Sequence, residues 1–248
     1  ILKSKKQLFG RGLLYQSFPE LKIRGQRSSS KRFKTYKLDT IINNQSKVLD
    51  IGCNCGFMSL ITAKRSKFVY SVEPNETLIK IAKIVKDHLK IKNCTFINST
   101  FDDFKTKKKF NLIFSFAVHH WVNFSFFFYV KKLSELLEMD GIIVFESHKL
   151  DSIDRYFIKK VQILKNLGFE LEELNEIYEK KDMKRLFGIF VKKKNFMNVS
   201  IRKKIKSFLT CYWIIFLDII LNKVNNLTYP IKGILLIINK VIFKNAKT

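Results

Sequence analysis

The sequence predicts an α/β protein built on a doubly wound, mostly parallel, seven-stranded sheet that ends in an antiparallel hairpin and is followed by a helical tail. Short apolar runs alternate five times with segments of helical period, as consecutive β–α units do. The run 110–116 is apolar almost throughout, which suits a strand covered on both faces. The last two strands are joined by only the charged stretch Glu176 to Lys184, too short for an ordinary crossover helix, so they are expected to pair antiparallel.

Residues 1–27 show no clear period and end in a basic stretch from Lys22 to Arg27. Ser28 to Ser30 can cap one helix running to about Ile42. A turn at 43–46 leads into a strand over Lys47–Ile51, a tight loop over Gly52–Gly56 and a helix from Phe57 to Lys64. A second strand, Phe68–Val72, ends at Glu73, Pro74 and Asn75, and a helix from Glu76 to Lys90 carries a helical apolar period. Strands follow at 94–97, 110–116 and 142–145, with a helix from Tyr129 to Met139 closed by Asp140 and Gly141. A helix from Asp154 to Leu167 stops at Gly168, and strands at 170–174 and 186–191 complete the sheet. The chain divides into a basic arm (1–40), a core (41–195) and a tail (196–248).

The 248 residues carry a formal net charge of +26. Residues 1–40 hold eleven Lys/Arg against two acids, and residues 196–248 hold nine against one, so the flanks are the basic parts. Lys, Asn, Ile and Phe share A/T-rich codons and are over-used together, so base composition accounts for much of the lysine excess, and a dedicated nucleic-acid groove is not favoured. Hydrophobic residues at 46% exclude a disordered chain. Basic residues 1–6 are followed by no apolar run, so no secretory signal is expected. Cys53, Cys55, Cys94 and Cys211 form no C-x-x-C pair; reduced thiols and no metal site are expected.

The stretch 48–57 carries the chemistry. A buried strand delivers the chain into a loop with glycines at its tight points, where backbone can approach a ligand closely, and the loop opens a helix whose free N–H groups favour a polar or anionic ligand. Glu73, at the end of the second strand, can accept hydrogen bonds from both hydroxyls of a ribose. The loop reads G-x-N-x-G, which departs from the G-x-G-x-x-G of dinucleotide folds.

These residues, with 72–75, 110–117, 140–146, 168–171 and 185–191, resemble the class I S-adenosylmethionine-dependent methyltransferases over residues 25–193. The resemblance implies a Rossmann-like fold and S-adenosylmethionine as cofactor. It places Asp50, Gly52, Cys53, Asn54 and Gly56 along the methionine part, Glu73 on the ribose, Pro74 and Asn75 beside the adenine, and Ser115 and Ala117 at the adjoining strand end. Three positions depart from the family pattern: Asn54 stands for a glycine, Asn111 for an acid, and Ser99-Thr100 where an adenine-binding acid often stands, with Asp102 and Asp103 nearby.

His119 and His120 follow the fourth strand, where such enzymes face the transferred methyl; either is a candidate proton acceptor, against a purely loop-shaping role beside Trp121. Arg24, Arg27 and Arg32 are candidates to meet the cofactor carboxylate or an anionic substrate, against a solvated basic face. The aromatic run 124–128 is expected to pack rather than to form a lid. The expected acceptor is a small molecule, glycan or lipid-linked substrate; RNA is the alternative, and a catalytically silent cofactor-binding protein is a third reading. The tail is expected to form two amphipathic helices over 200–244, with Ser207, Cys211, Asp218, Asn222 and Asn225 on one polar face. The expected location is cytoplasmic, peripheral on the inner face of an anionic membrane if the tail binds lipid, the competing cover being the protein itself or a second copy.

Overall fold

The computed structural model describes residues 14–123, 125–148, 156–180 and 183–224. Its core is a seven-stranded sheet. In chain order the strands are β3 (Lys47–Ile51), β4 (Phe68–Glu73), β5 (Cys94–Asn98), β6 (Phe110–Phe116), β7 (Leu137–Glu146), β8 (Phe169–Lys180) and β9 (Met183–Lys192). Across the sheet the order is β5-β4-β3-β6-β7-β9-β8, parallel up to β7, with β9 antiparallel to both β7 and β8. The order reverses between β3 and β6, and in such sheets the crevice at the reversal receives ligands.

Apolar residues cover both faces. On one, Phe33, Tyr36 and Leu38 from helices α1 (Ser29–Thr35) and α2 (Leu38–Ile41) and the turn between them join residues of α3 (Phe57–Ala63) and α4 (Glu76–His88). On the other lie α5 (Phe126–Leu136), α6 (Phe157–Asn166) and α7 (Ile201–Val224).

The expected single helix over 28–42 is two helices. Ser28 caps the first by accepting a bond from the Lys31 N–H at 3.2 Å. The break falls at Lys37, which adopts φ 55°. Tyr36 just before it is fully buried, its ring 4.4 Å from that of Phe116 and 5.0 Å from that of Phe187, so tertiary packing overrides helix continuation.

The helix expected from Tyr129 to Met139 spans Phe126 to Leu136 instead. Buried Lys192 donates to the carbonyls of Ser134 (2.6 Å) and Leu137 (2.7 Å), satisfying orphan acceptors at the helix end, and Leu137 already pairs with Phe110. The charged stretch 176–184 belongs largely to the hairpin strands, which run from Phe169 and to Lys192. Helix α6 begins at Phe157; Asp154, expected in it, lies outside the described residues, as does Phe124.

Before the core, where no period is legible, two three-residue strands, β1 (Leu14–Gln16) and β2 (Gly25–Arg27), pair in parallel. At Gly25 a Cβ would lie 2.2 Å from the Gln16 carbonyl carbon, so only glycine allows this approach.

In the tail one helix, α7, is described; residues 225–248 lie outside. Of the expected polar face, Ser207 and Cys211 are turned inward; the side chains of Asp218, Asn222 and Asn225 lie outside the described residues. Ser207 and Cys211 are buried with Ile214 and Leu217 against the domain, and Ile205, Leu209, Tyr212 and Phe216 are exposed. Small side chains let the helix approach closely, and a free cysteine packs as a small hydrophobe. No helix among the described residues is long and apolar enough to cross a membrane.

Candidate active site

The loop after β3 is held by the strand ends beside it. The N–H groups of Gly52 and Cys53 both donate to the Val72 carbonyl, at 2.8 and 3.1 Å. Gly52, Asn54 and Gly56 all lie in the left-handed region, at φ 68°, 56° and 71°. A Cβ at Gly56 would sit 2.4 Å from the Phe96 ring, so that position is closed to side chains. Asn54 tolerates the same geometry because its short side chain bonds locally: its Oδ1 accepts from the Cys55 N–H at 2.9 Å.

Glu73 completes the loop. One carboxylate oxygen accepts from the Asn54 N–H at 3.0 Å and the other from the Asn75 N–H at 3.1 Å. Burial raises its pKa, and the two N–H groups oppose that rise.

The other sequence candidates separate. Asp50 is buried behind the loop, accepts from the Ser59 hydroxyl at 2.6 Å, and is pushed up to about 7 by burial. Cys53 and Cys55 are buried, free thiols whose pKa values burial raises. The Asn75 side chain caps α4, accepting from Thr77 and Leu78. Pro74 is exposed. Ser115 faces the core, 2.7 Å from the Tyr129 hydroxyl.

Asn111 replaces an acid for a visible reason. Its amide oxygen accepts from the Lys47 N–H at 2.7 Å while its NH₂ donates to the Gln45 carbonyl at 3.4 Å, two jobs that a carboxylate does not combine. Asp102 accepts from the Asn123 N–H and Asp103 from the Thr100 hydroxyl.

The two candidate histidines face different environments. His119 is buried; Lys160 donates to its Nε2 at 2.8 Å. Burial first, then the Lys160 charge, hold its pKa well below the usual histidine range. His120 is exposed, its ring stacked 4.4 Å from that of His148, with Trp121 edge-on to His148 at 5.7 Å.

His148 escaped the sequence reading. It lies two residues past β7, and its Nδ1–H donates to the Ala117 carbonyl at 3.2 Å, leaving Nε2 as the acceptor nitrogen. Ala117, at φ 57°, turns the chain at the end of β6 to present that carbonyl. Burial lowers the His148 pKa, with the Ala117 carbonyl opposing.

A buried polar cluster joins α1 to the end of β7. Arg32 Nη2 donates to Glu146 at 2.7 Å and to the Tyr36 hydroxyl at 2.8 Å, and Arg185 lies 3.9 Å from the same Glu146 oxygen. The second Glu146 oxygen has no hydrogen-bond partner among the described residues.

A model of the methyltransferase domain matches residues 42–209. The chain belongs to the methyltransferase domain family. Among curated relatives, a probable cobalt-precorrin-6B C(15)-methyltransferase (decarboxylating) of Methanococcus maripaludis strain C5 is 43% identical over 67 residues, covering 27% of this chain and 37% of that protein. The chain thus spans about two fifths of the length of the first curated relatives that it matches. Among solved structures, the N-methyltransferase NodS of Bradyrhizobium japonicum with S-adenosyl-L-homocysteine aligns with a TM-score of 0.56 at 17% identity, over 66% of this chain and 87% of that one. An rRNA methylase of Streptococcus thermophilus aligns at 0.52 and 16% identity, over 65% and 95%. These structural likenesses show a shared fold.

S-adenosylmethionine is the cofactor that goes with this methyltransferase family. The residues present suit it. Two buried carboxylates, Glu73 at the end of β4 and Asp50 one residue before the end of β3, lie on neighbouring strands, and burial raises both. Such groups favour a ligand that brings hydrogen-bond donors and positive charge, as a ribose diol, an ammonium and a sulfonium do.

Proposed function

We propose that this chain transfers a methyl group from S-adenosylmethionine to a small-molecule, glycan or lipid-linked acceptor in the crevice between the ends of β3 and β6. The observation that carries this is the Gly52–Gly56 loop locked onto Glu73 through the Asn54 N–H. The loop and Glu73 would hold the cofactor, with Asn75 positioned through the cap that it makes on α4. When bound, the cofactor supplies an electrophilic methyl on a sulfonium. Alignment of the acceptor with that methyl accounts for most of the catalysis in such a reaction. His148, its tautomer set by Ala117, is the residue we place to take the proton that a hydroxyl or amine acceptor releases; exposed His120 supports its ring. His119, turned inward to Lys160, serves the packing of that segment. The curated relatives named for cobalt-precorrin favour a small-molecule acceptor.

Calorimetric titration with S-adenosylmethionine tests the reading, followed by labelled methyl transfer to fractionated cell extract. No binding by the folded protein would refute it. His148→Ala is expected to lower kcat by about 10²-fold with little change in cofactor affinity. Because the His148 pKa is lowered, the ring is neutral at pH 7 and the base is lost as pH falls below the ordinary histidine range. A wild-type kcat that is flat through that acid limb would remove His148 from the mechanism.

The exposed row Ile201, Ile205, Leu209, Tyr212 and Phe216, flanked by Arg202, Lys203 and Lys206, suits attachment to an anionic membrane surface, each basic residue adding about 1 kcal/mol near the lipid. Full-length protein is expected to float with anionic vesicles at low salt and to stay in the dense fraction with neutral ones. Recovery in the dense fraction with both, as a dimer by light scattering, would assign the face to a second copy.

A further inference from the structure

A cavity of about 440 Å³ lies among the end of α5, the start of β7, the end of β9 and the turn Phe196–Asn198. That volume falls in the range of small-molecule sites. It stands at the opposite end of the sheet from the cofactor loop. Leu137 in its wall pairs with Phe110, the first residue of β6, and Lys109 directly precedes that strand. The Gly52–Gly56 loop follows β3, which runs parallel to β6 and ends with Ile51 opposite Ser115. The seven residues of β6 therefore separate the two places, by about 20 Å at strand rise.

The charge in the wall is a buried ammonium. Lys192 is only 3% exposed and lines the cavity. An ammonium has three N–H donors. Two go to the carbonyls of Ser134 and Leu137, so the third has no protein partner among the described residues, and no carboxylate meets the charge. Burial, and then the Lys109 charge, lower its pKa. Lys109 itself donates to the Glu135 carbonyl. The two acids in the wall have cations of their own: Glu138 lies 2.6 Å from Lys47 and Glu135 lies 3.8 Å from Lys131. A buried cation without a counter-charge is costly, and an anion that reaches it offsets that cost through a charge-assisted hydrogen bond. The rest of the wall is largely apolar, with Leu137, Phe196, Met139 and Met197. Met139 and Met197 are 46% and 78% exposed, and methionine's unbranched chain adapts to varied ligand shapes.

We propose that this cavity is a second ligand site, which takes a small molecule with one carboxylate on an apolar body, the carboxylate on Lys192 and the body between Phe196 and the two methionines. One buried ammonium matches one anionic group, and Glu135 and Glu138 at the same wall disfavour a ligand of higher negative charge. The site does not depend on the methyl-transfer reading.

The test is calorimetry on the full chain with octanoate and with octanamide, its uncharged counterpart. A Met139→Glu/Met197→Glu variant adds two carboxylates at exposed wall positions and leaves the core untouched. Lys192→Met removes the charge, and its melting temperature shows whether it folds. S-adenosyl-L-homocysteine is titrated in parallel. The expected result is saturable binding of octanoate at one site, about tenfold or more weaker for octanamide and for the double-glutamate variant, and undisturbed by saturating S-adenosyl-L-homocysteine. A folded Lys192→Met variant is expected to bind both probes alike. No saturable binding of octanoate, equal binding of octanamide by the wild type, unchanged binding by the double variant, or displacement by S-adenosyl-L-homocysteine would each overturn the proposal. Failure of the homocysteine cofactor alone to bind would count against methyl transfer and leave this site standing.

Discussion

Glu73→Ala is expected to weaken binding of S-adenosyl-L-homocysteine by about 100-fold or more, near 2.7 kcal/mol, in calorimetry at neutral pH. The carboxylate would act twice. It holds the loop in its left-handed path by accepting from the Asn54 and Asn75 N–H groups, and hydrogen bonds to a charged acceptor contribute about 1.5–3 kcal/mol each. It would also receive the ribose hydroxyls. Alanine leaves those N–H groups without their acceptor and the diol without a partner. Glu73→Gln keeps one acceptor oxygen and is expected to fall between the two. An alanine variant that folds and binds like the wild type would place the cofactor elsewhere.

Glu146→Ala is expected to cost about 3–5 kcal/mol of folding stability, read as a lower urea midpoint at unchanged slope. Glu146 is fully buried, and its carboxylate neutralises Arg32 and lies near Arg185, both nearly as buried. Removing it strands two guanidinium groups in the interior, which is far costlier than losing the pair's own attraction. The exposed pair Lys37–Glu173, 2.7 Å apart, is the control: Glu173→Ala is expected to cost less than about 1 kcal/mol. Equal midpoints for Glu146→Ala and Glu173→Ala would show that the cluster is not a stabilising element.

The strands and the loop were legible because their signals are local. An apolar run such as 110–116 reads as a covered strand in any context, and paired glycines mark a tight turn whatever surrounds them. What escaped depends on partners distant in the chain. The helix break at Lys37 comes from aromatic packing of Tyr36 on Phe116 and Phe187. The early end of α5 is enforced by Lys192, 55 residues beyond Leu137. His148 stands alone in sequence and gains meaning only from the Ala117 carbonyl, 31 residues before it. The Arg32–Glu146 pair spans 114 residues. The tail was misread because period alone shows that a helix has two faces and not which one the domain covers: Ser207 and Cys211 look polar in a list and are interior in the fold.

Gln16 ties the N-terminal arm to the loop after β3 with a single amide. Its NH₂ donates to the Cys53 carbonyl at 3.4 Å and its oxygen accepts from the Phe57 N–H at 3.0 Å, while its strand, β1, pairs in parallel with β2, Gln16 opposite Arg27. The arm and the cofactor loop therefore tighten or loosen together. A ligand that stills one side has already met part of the ordering entropy of the other, and such coupling runs equally in both directions. Through that one side-chain amide, a ligand held by the loop would be felt in the arm, and the reverse.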